Sequence, residues 1–191
     1  QFGEYDQSPE MMAEIIEEFL KDGLLNIIGG CCGTSPAHIA AIAKVAERYA
    51  PREMVKRDPV TTFSGLEPIS VTKESNFVNI GERTNVAGSK MFARLIREEK
   101  FEQALSVAQG QVEGGAQLID VCMDDAMLDS ALEMSTFVRY ISNDPDIARA
   151  ALMIDSSDWN TILAGLKNAQ GKCIVNSISL KEGEDLFLAK A

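Results

Sequence analysis

The first fifty residues combine two amphipathic helix patterns with one short apolar run. Residues 8–10 read Ser-Pro-Glu, a strong helix start, because a hydroxyl cap, an early proline and an early acid all favour that end. Apolar residues then recur at helical spacing until Gly23, a typical stop. Residues 24–28 have the length of a buried strand, and a second helix is predicted from Ser35. Helix, strand and helix in this order are typical of a parallel α/β fold.

The pattern changes between residues 51 and 75, where the periodicity is lost and three prolines and a glycine interrupt charged and small polar residues. We interpret this stretch as an interdomain linker. Alternation resumes beyond it. Strands are predicted at 77–80, 117–121, 151–154 and 173–175, and helices at about 92–114, 130–142, 159–169 and from 184 onward.

Polar residues directly follow each of these four predicted strands. The loops at the carboxyl ends of parallel strands carry the chemistry in α/β folds, so we expect these side chains to converge on one edge of the sheet. Four strands cannot close an eight-stranded barrel, and a lone strand before the linker cannot form a sheet. The prediction is an α/β chain in which residues 1–50 end one domain, 51–75 link, and 76–191 begin another.

Composition and charge narrow the classes of function. The apolar fraction of 46% is typical of a globular protein, and no apolar run is long enough to span a membrane. A net charge of −11 repels phosphate backbones and anionic lipid, so no nucleic-acid or membrane partner is expected. Four cysteines are too few for a disulfide scaffold, which favours a cytoplasmic location. Because the chain does not begin with Met, we expect a piece of a longer protein.

The segment GGCCGT at 29–34 is the most reactive in the chain. Its glycines allow a tight turn that brings the thiols of Cys31 and Cys32 toward one ion, and thiolates suit zinc. A zinc site needs a third protein ligand from elsewhere. The equal alternative is that both cysteines are small buried apolar residues. We expect His38, the only histidine, to be solvated or packed on a helix face and not to bind metal.

A second group of candidates follows the first strand predicted after the linker. The polar residues Glu82 and Asn85 precede Gly88, Ser89 and Lys90. Such side chains, together with exposed backbone amides, could hold a heterocycle or an anion. An ordinary polar loop explains the same pattern.

Asp155 and Asn176 each come directly after a predicted strand. A carboxylate beside an amide can recognise the donor and acceptor edge of a fused heterocycle, because the carboxylate accepts hydrogen bonds and the amide both accepts and donates them. A helix cap is the equal alternative for Asp155. We interpret Asp124 and Asp125 as solvated loop acids and not as ligands of a divalent metal.

Four segments together resemble the cobalamin-dependent methionine synthase family. They are GGCCGTSPAHI at 29–39, FVNIGERTNVAGS at 77–89, DVCMDDAMLD at 120–129, and 154–184 from IDSS to GKCIVNSISLKEGE. In that family one (β/α)8 TIM barrel binds homocysteine through zinc, a second barrel binds 5-methyltetrahydrofolate, and separate modules hold cobalamin. The resemblance implies that this chain contains the end of the first barrel and the first half of the pterin-binding second barrel.

The resemblance also implies roles for single residues. Cys31 and Cys32 match two zinc thiolates, with the third thiolate upstream. The matched folate-site positions are Glu82, Asn85, Gly88, Ser89 and Lys90. Asp155 looks like the carboxylate that reads the pterin edge, and Asn176 looks like the catalytic amide near folate N5. One departure is Cys122, which stands where the family usually has asparagine, so no role is carried over to it.

The reaction implied by the resemblance moves a methyl group from 5-methyltetrahydrofolate through cobalamin to homocysteine, giving methionine and tetrahydrofolate. We expect the chain by itself to be inactive, because it lacks a zinc ligand, the later strands and a cobalamin-binding module. Two alternatives stay open. One is a free-standing pterin-binding protein, such as a corrinoid-dependent methyltransferase subunit or a dihydropteroate synthase relative, and the other is a small non-catalytic zinc-binding domain.

Overall fold

A computed structural model of the chain describes residues 7–54, 56 and 59–191, and it divides into two compact units, Gln1–Asp58 and Pro59–Ala191. In the first unit, helices α1 (Pro9–Lys21) and α2 (Pro36–Ala46) pack against each other. The Ser8 hydroxyl caps α1 by accepting a hydrogen bond from a backbone N–H of the first turn. Both helix predictions are confirmed.

The strand predicted at residues 24–28 is wrong. These residues are irregular, and the side chains of Leu24 and Ile27 are 61% and 91% exposed. A strand needs a neighbour for its backbone hydrogen bonds. Among the residues described in the first unit there is no second strand that could supply them. The assignment of residues 1–50 to a barrel therefore stays a prediction.

The second unit begins with a hairpin of strands β1 (Thr61–Ser64) and β2 (Pro68–Val71), followed by a 3-10 turn at Lys73–Ser75. Regular structure was not expected here, because the pattern assigned residues 51–75 to a linker. Backbone hydrogen bonds fix the hairpin to segments that precede later strands. Ser64 and Lys172 exchange two such bonds, of 3.1 and 3.0 Å.

Four parallel strands follow in spatial order: β3 (Ile80–Asn85), β4 (Leu118–Cys122), β5 (Ala151–Asp155) and β6 (Ile174–Asn176). The last three confirm their predictions to within one residue at each end. The first is shifted, because β3 contains the polar run that the sequence analysis placed in a loop. In the described sheet β3 pairs only with β4, and an edge position tolerates polar residues.

The helices of the second unit are α3 (Lys90–Arg97), α4 (Phe101–Glu113), α5 (Ser130–Asn143), α6 (Pro145–Ala148), α7 (Trp159–Asn168) and α8 (Glu184–Lys190). The helix predicted at 92–114 is thus two helices. Glu99 adopts a left-handed φ of 55°, and the Lys100 N–H closes the end of α3 by donating to the Leu95 carbonyl at 2.8 Å. A helix end of this kind usually has glycine at the left-handed position, so a glutamate there carries no signal of the break.

The core of the second unit lies between one face of the sheet and the helices. Side chains alternate along a strand, so Ile119 and Val121 of β4 and Ile154 of β5 enter this core. The opposite face of β4 carries Asp120, an ionisable residue that is fully buried. The unit is an α/β structure with a parallel sheet, which is compatible with part of a barrel. No helix within the described ranges is long and apolar enough to cross a membrane.

Candidate functional site

The final residues of the four parallel strands form one row across the sheet. Asn85 is the register partner of Cys122, Cys122 of Asp155, and Asp155 of Asn176. Register partners on neighbouring strands point to the same face, so the four side chains share one surface. The expected convergence of polar residues at the carboxyl edge of the sheet is confirmed.

Asp120 lies two residues before Cys122, on the same face. The Asn85 amide donates to Asp120 Oδ2 at 3.3 Å, while the buried Oδ1 has no hydrogen-bond partner among the described residues. The pKa of this carboxyl is raised to about 7, mainly by burial and to a smaller extent by the negative charges of Asp155 and Glu82. Asp120 was not among the residues predicted for the site. The sequence does contain a sign of its importance, because Asp120 is the one acid inside the apolar strand Leu118–Cys122. Burying an acid is costly, so an acid in such a strand points to a functional role.

Asp155 is partly buried at the end of β5. Burial is the main cause that raises its pKa, and the charges of Asp124 and Glu82 add to the effect. The alternative role as a helix cap is wrong. The cap of α7 is Asp158, whose carboxylate accepts a hydrogen bond from the Thr161 N–H at 2.8 Å. Asp155 therefore does not cap α7, and its partly buried carboxylate lies at the strand end beside Cys122.

Asn85 connects the row to the turn before α3. Its Oδ1 accepts hydrogen bonds from the N–H groups of Ala87 and Gly88, at 2.9 and 3.1 Å. These two bonds fix the amide so that its nitrogen faces Asp120. Glu82 is exposed on β3, close enough to Asp120 and Asp155 for its charge to affect the pKa of each.

The next two candidates begin helix α3. Ser89 is buried and its hydroxyl accepts a hydrogen bond from the Phe92 N–H at 3.3 Å, so it serves as the helix cap. Lys90 is exposed at the first helical position. The structure thus places Gly88 and Ser89 in local structural bonds and leaves the Lys90 ammonium group on the surface.

The two loop acids after β4 both form hydrogen bonds within the protein. Both oxygens of Asp124 accept hydrogen bonds from Ser156 and Ser157. Asp125 forms an ion pair with Arg97 and accepts a hydrogen bond from the Met127 N–H. The interpretation as a solvated acid is therefore wrong for Asp124, whose carboxylate binds the two serines that directly follow Asp155.

Cys31 and Cys32 are exposed in the first unit, so the alternative of small buried residues is wrong. Thr34 closes the turn around them, because the Cys31 N–H donates to Thr34 Oγ1 and the Thr34 N–H donates to the Cys31 carbonyl, both at 3.0 Å. In the part of the chain that the structure describes, no three His, Cys, Asp or Glu residues are grouped to hold a metal. The two thiols are therefore suitable zinc ligands, but a zinc site needs at least one more protein ligand than they supply.

His38 uses both ring nitrogens within the protein. Nδ1 accepts a hydrogen bond from the Ser35 N–H at 3.2 Å, which places the ring proton on Nε2. Nε2 then donates to the Gln7 carbonyl at 3.0 Å. The histidine therefore fixes the start of α2 through both of its ring nitrogens.

Comparison with models of known families gives two matches. Residues 81–191 match the family described as pterin binding enzyme, and residues 1–46 match homocysteine S-methyltransferase. The first match covers more than half of the chain. This protein belongs to the pterin-binding enzyme family.

The two matches confirm the resemblance that the motifs carried, since a homocysteine methyltransferase segment precedes a pterin-binding segment in one chain. The row from Asn85 to Asn176, together with Glu82 and Asp120, falls within the pterin-binding match. Cys31 and Cys32 fall within the other match. The buried carboxylates of the sheet thus lie in the part of the chain for which a nitrogen-rich heterocycle is the expected ligand.

Proposed function

We propose that this protein is a cobalamin-dependent methionine synthase. It would transfer the methyl group of 5-methyltetrahydrofolate through cobalamin to homocysteine, giving methionine and tetrahydrofolate. The observation that carries the proposal is the order of the two family matches, homocysteine S-methyltransferase at 1–46 and pterin binding enzyme at 81–191. A free-standing pterin-binding protein does not account for the first match.

In this proposal the pterin ring of the folate lies on the row of strand ends. Asp155 accepts hydrogen bonds from the amino and ring N–H groups, and Asn176 supplies an amide beside it. Both side chains are register partners at the end of their strands, so one planar heterocycle can meet both. Glu82 and Asn85, with Gly88, Ser89 and Lys90, border the same region. The exposed Lys90 ammonium group suits the carboxylates of the folate tail.

The charges of the site suit the chemistry of methyl transfer. The methyl group leaves N5 readily only when N5 carries positive charge, so groups that favour the protonated ring lower the barrier. Three carboxyl groups, Glu82, Asp120 and Asp155, lie near one another on this face, and the charge of Glu82 raises the pKa of both Asp120 and Asp155. We assign Asn176 the catalytic contact near N5. Cobalamin, when bound by another part of the protein, supplies the acceptor for the methyl group.

We propose that Cys31 and Cys32 contribute two thiolates to a zinc ion that binds the sulfur of homocysteine. A third ligand must come from outside the described residues. When bound, zinc lowers the pKa of a coordinated thiol and so favours the thiolate nucleophile. Because both cysteines are exposed in one turn, their position fits a shared ion better than a closed structural site. We place the protein in the reducing cytoplasm, which keeps such thiols free.

Binding of 5-methyltetrahydrofolate to the full-length protein tests the folate half of the proposal. We expect Asp155→Asn to weaken this binding by about tenfold or more, because a charge-assisted hydrogen bond is lost. Zinc content should not change. Wild-type affinity in the variant would refute the assignment of Asp155.

Zinc content measured by elemental analysis tests the other half. We expect no tight zinc in the 191-residue chain and one zinc per chain when the upstream sequence of the homocysteine domain is included. Tight stoichiometric zinc in the shorter chain would instead support a small zinc-binding domain.

A further inference from the structure

The carboxylate of Asp124 accepts hydrogen bonds from two consecutive serines, Ser156 and Ser157. Its Oδ1 accepts a hydrogen bond from the Ser156 hydroxyl at 2.5 Å. Its Oδ2 accepts from both the N–H and the hydroxyl of Ser157, each at 2.7 Å. Asp124 follows β4 and the serines follow β5, so three hydrogen bonds connect the loops at the carboxyl ends of neighbouring strands.

The same serines extend the network to the next strand and the next helix. The Ser156 N–H donates to the Asn176 carbonyl at 2.8 Å. The Ser156 hydroxyl oxygen accepts a hydrogen bond from the N–H of Asp158, the cap of α7, at 3.0 Å. Asp124 is therefore connected through a single residue to the backbone of Asn176, and Ser156 directly follows Asp155 in the chain.

This arrangement has an electrostatic cost. The Asp124 carboxylate lies close enough to Asp155 for its negative charge to disfavour ionisation of the second carboxyl. Two like charges near each other are unfavourable. Three short hydrogen bonds to a charged acceptor oppose that cost, because charge-assisted hydrogen bonds are about twice as strong as neutral ones.

We propose that Asp124 is a positioning residue of the pterin site, which holds Asp155 and Asn176 in one fixed arrangement by binding Ser156 and Ser157. This inference rests on the proposed folate function. Asp124 itself does not touch the substrate. Its role is to prevent the loop after β5 from moving, since an ordered pair of groups binds a rigid ring with less loss of entropy.

Affinity for 5-methyltetrahydrofolate in the full-length protein tests the proposal, measured by titration calorimetry. We expect Asp124→Ala to weaken binding by about tenfold, because the serine donors lose a charged acceptor. Asp124→Asn should recover part of the affinity, since its amide oxygen still accepts hydrogen bonds from Ser157. Asp125→Asn is the matched control, because it removes a neighbouring carboxylate of the same loop that pairs with Arg97 instead. We expect wild-type affinity in the control.

Hydrogen exchange gives a second, independent measurement. The Ser157 N–H should exchange faster in Asp124→Ala, and Ser157→Ala should weaken folate binding in a way that is not additive with Asp124→Ala. Unchanged affinity in Asp124→Ala, or an equal loss in Asp125→Asn, would overturn the positioning role while leaving folate binding in place. Absence of binding by the wild-type protein would overturn the proposed function and this inference together.

Discussion

Asp155 and Asn176 are register partners at the last paired position of β5 and β6. Both lie on the face of the sheet opposite the helix-packed core, and the backbone of Asn176 also accepts a hydrogen bond from the residue after Asp155. A carboxylate and an amide are thus held side by side at one edge. One flat ring can contact both at once, so their effects on binding should not be independent.

A double-mutant cycle tests this relationship. We expect Asp155→Asn and Asn176→Ala each to weaken binding of 5-methyltetrahydrofolate, and the double variant to lose less than the sum of the two. Groups that contact one ligand ring commonly show coupling of about 1 kcal/mol. Titration calorimetry gives the four affinities of the cycle, those of the wild type, the two single variants and the double variant. Asn143→Ala, at the exposed end of α5, is a control for which no loss is expected, and strict additivity would contradict a shared ring.

The four cysteines should differ in reactivity toward iodoacetamide at pH 8. Cys31 and Cys32 are exposed, whereas burial raises the pKa of the Cys122 thiol to about 12 and also raises the pKa of Cys173. The thiolate is the reactive form, so we expect two fast labels after metal removal and two more only on unfolding. Mass spectrometry of peptides identifies the sites.

Zinc provides the control for this experiment. If Cys31 and Cys32 bind the metal, adding zinc to the protein with its upstream sequence should slow both fast labels. Fast labelling of Cys122 in the folded protein would contradict its burial within the row of strand ends. Equal labelling rates with and without zinc would contradict the proposed thiolate ligands.

The sequence predicted those parts of the second unit in which local pattern and packing agree. β4 and β5 are apolar runs that become polar at the edge where the chemistry lies, and their ends were predicted to within one residue. The hairpin could not be predicted, because its position depends on backbone contacts between Ser64 and Lys172, 108 residues apart. The break between α3 and α4 could not be predicted from the sequence, because Glu99 occupies a left-handed position at which glycine is usual.

The candidate site was predicted in outline because local pattern and packing agree there as well. Asp155 and Asn176 stand directly after apolar strands, so their convergence follows from the parallel topology. Asp120 was missed, because its role depends on which face of β4 is polar. The contacts of Asp124 with the serines were missed, because they depend on how the loops after β4 and β5 approach each other. These are properties of the packed chain and not of any single segment.

Stability should fall as the pH rises through about 7, because of Asp120. Burial raises its pKa from 3.8 to about 7, with smaller contributions from Asp155 and Glu82, so the folded protein holds the proton more tightly than the unfolded chain. The stabilisation is complete below about pH 4 and is lost as the pH rises past the folded-state value. We expect Asp120→Asn to raise the melting temperature over wild type by several degrees at pH 8.5 and by much less at pH 5.5.

The control for this pH dependence is Asp125→Asn. The Met127 N–H and Arg97 lower the pKa of Asp125, so its stabilisation is lost only as the pH falls below its ordinary value of 3.8. The difference from wild type should therefore stay constant between pH 5.5 and 8.5. A constant difference for Asp120→Asn as well would show that Asp120 titrates outside this range.

Two helical glycines should respond in opposite directions to replacement by alanine. A Cβ at Gly165 of α7 would lie 2.6 Å from Ile154 Cγ2 and 3.1 Å from Met134 Cγ, whereas a Cβ at Gly110 of α4 would meet no atom within 4 Å. Overpacking of a core costs about 1–3 kcal/mol. In open space, alanine stabilises a helix by about 0.5–1 kcal/mol relative to glycine.

Urea unfolding of the two variants measures both effects. We expect Gly165→Ala to lower the free energy of unfolding by about 1–3 kcal/mol, and Gly110→Ala to raise it by up to about 1 kcal/mol. Gly165 packs directly behind β5, so the strain should reach Asp155 and weaken folate binding, while Gly110→Ala leaves the affinity unchanged. A stable Gly165→Ala protein with wild-type affinity would show that the contact between α7 and β5 is looser than the structure indicates and that the site does not depend on it.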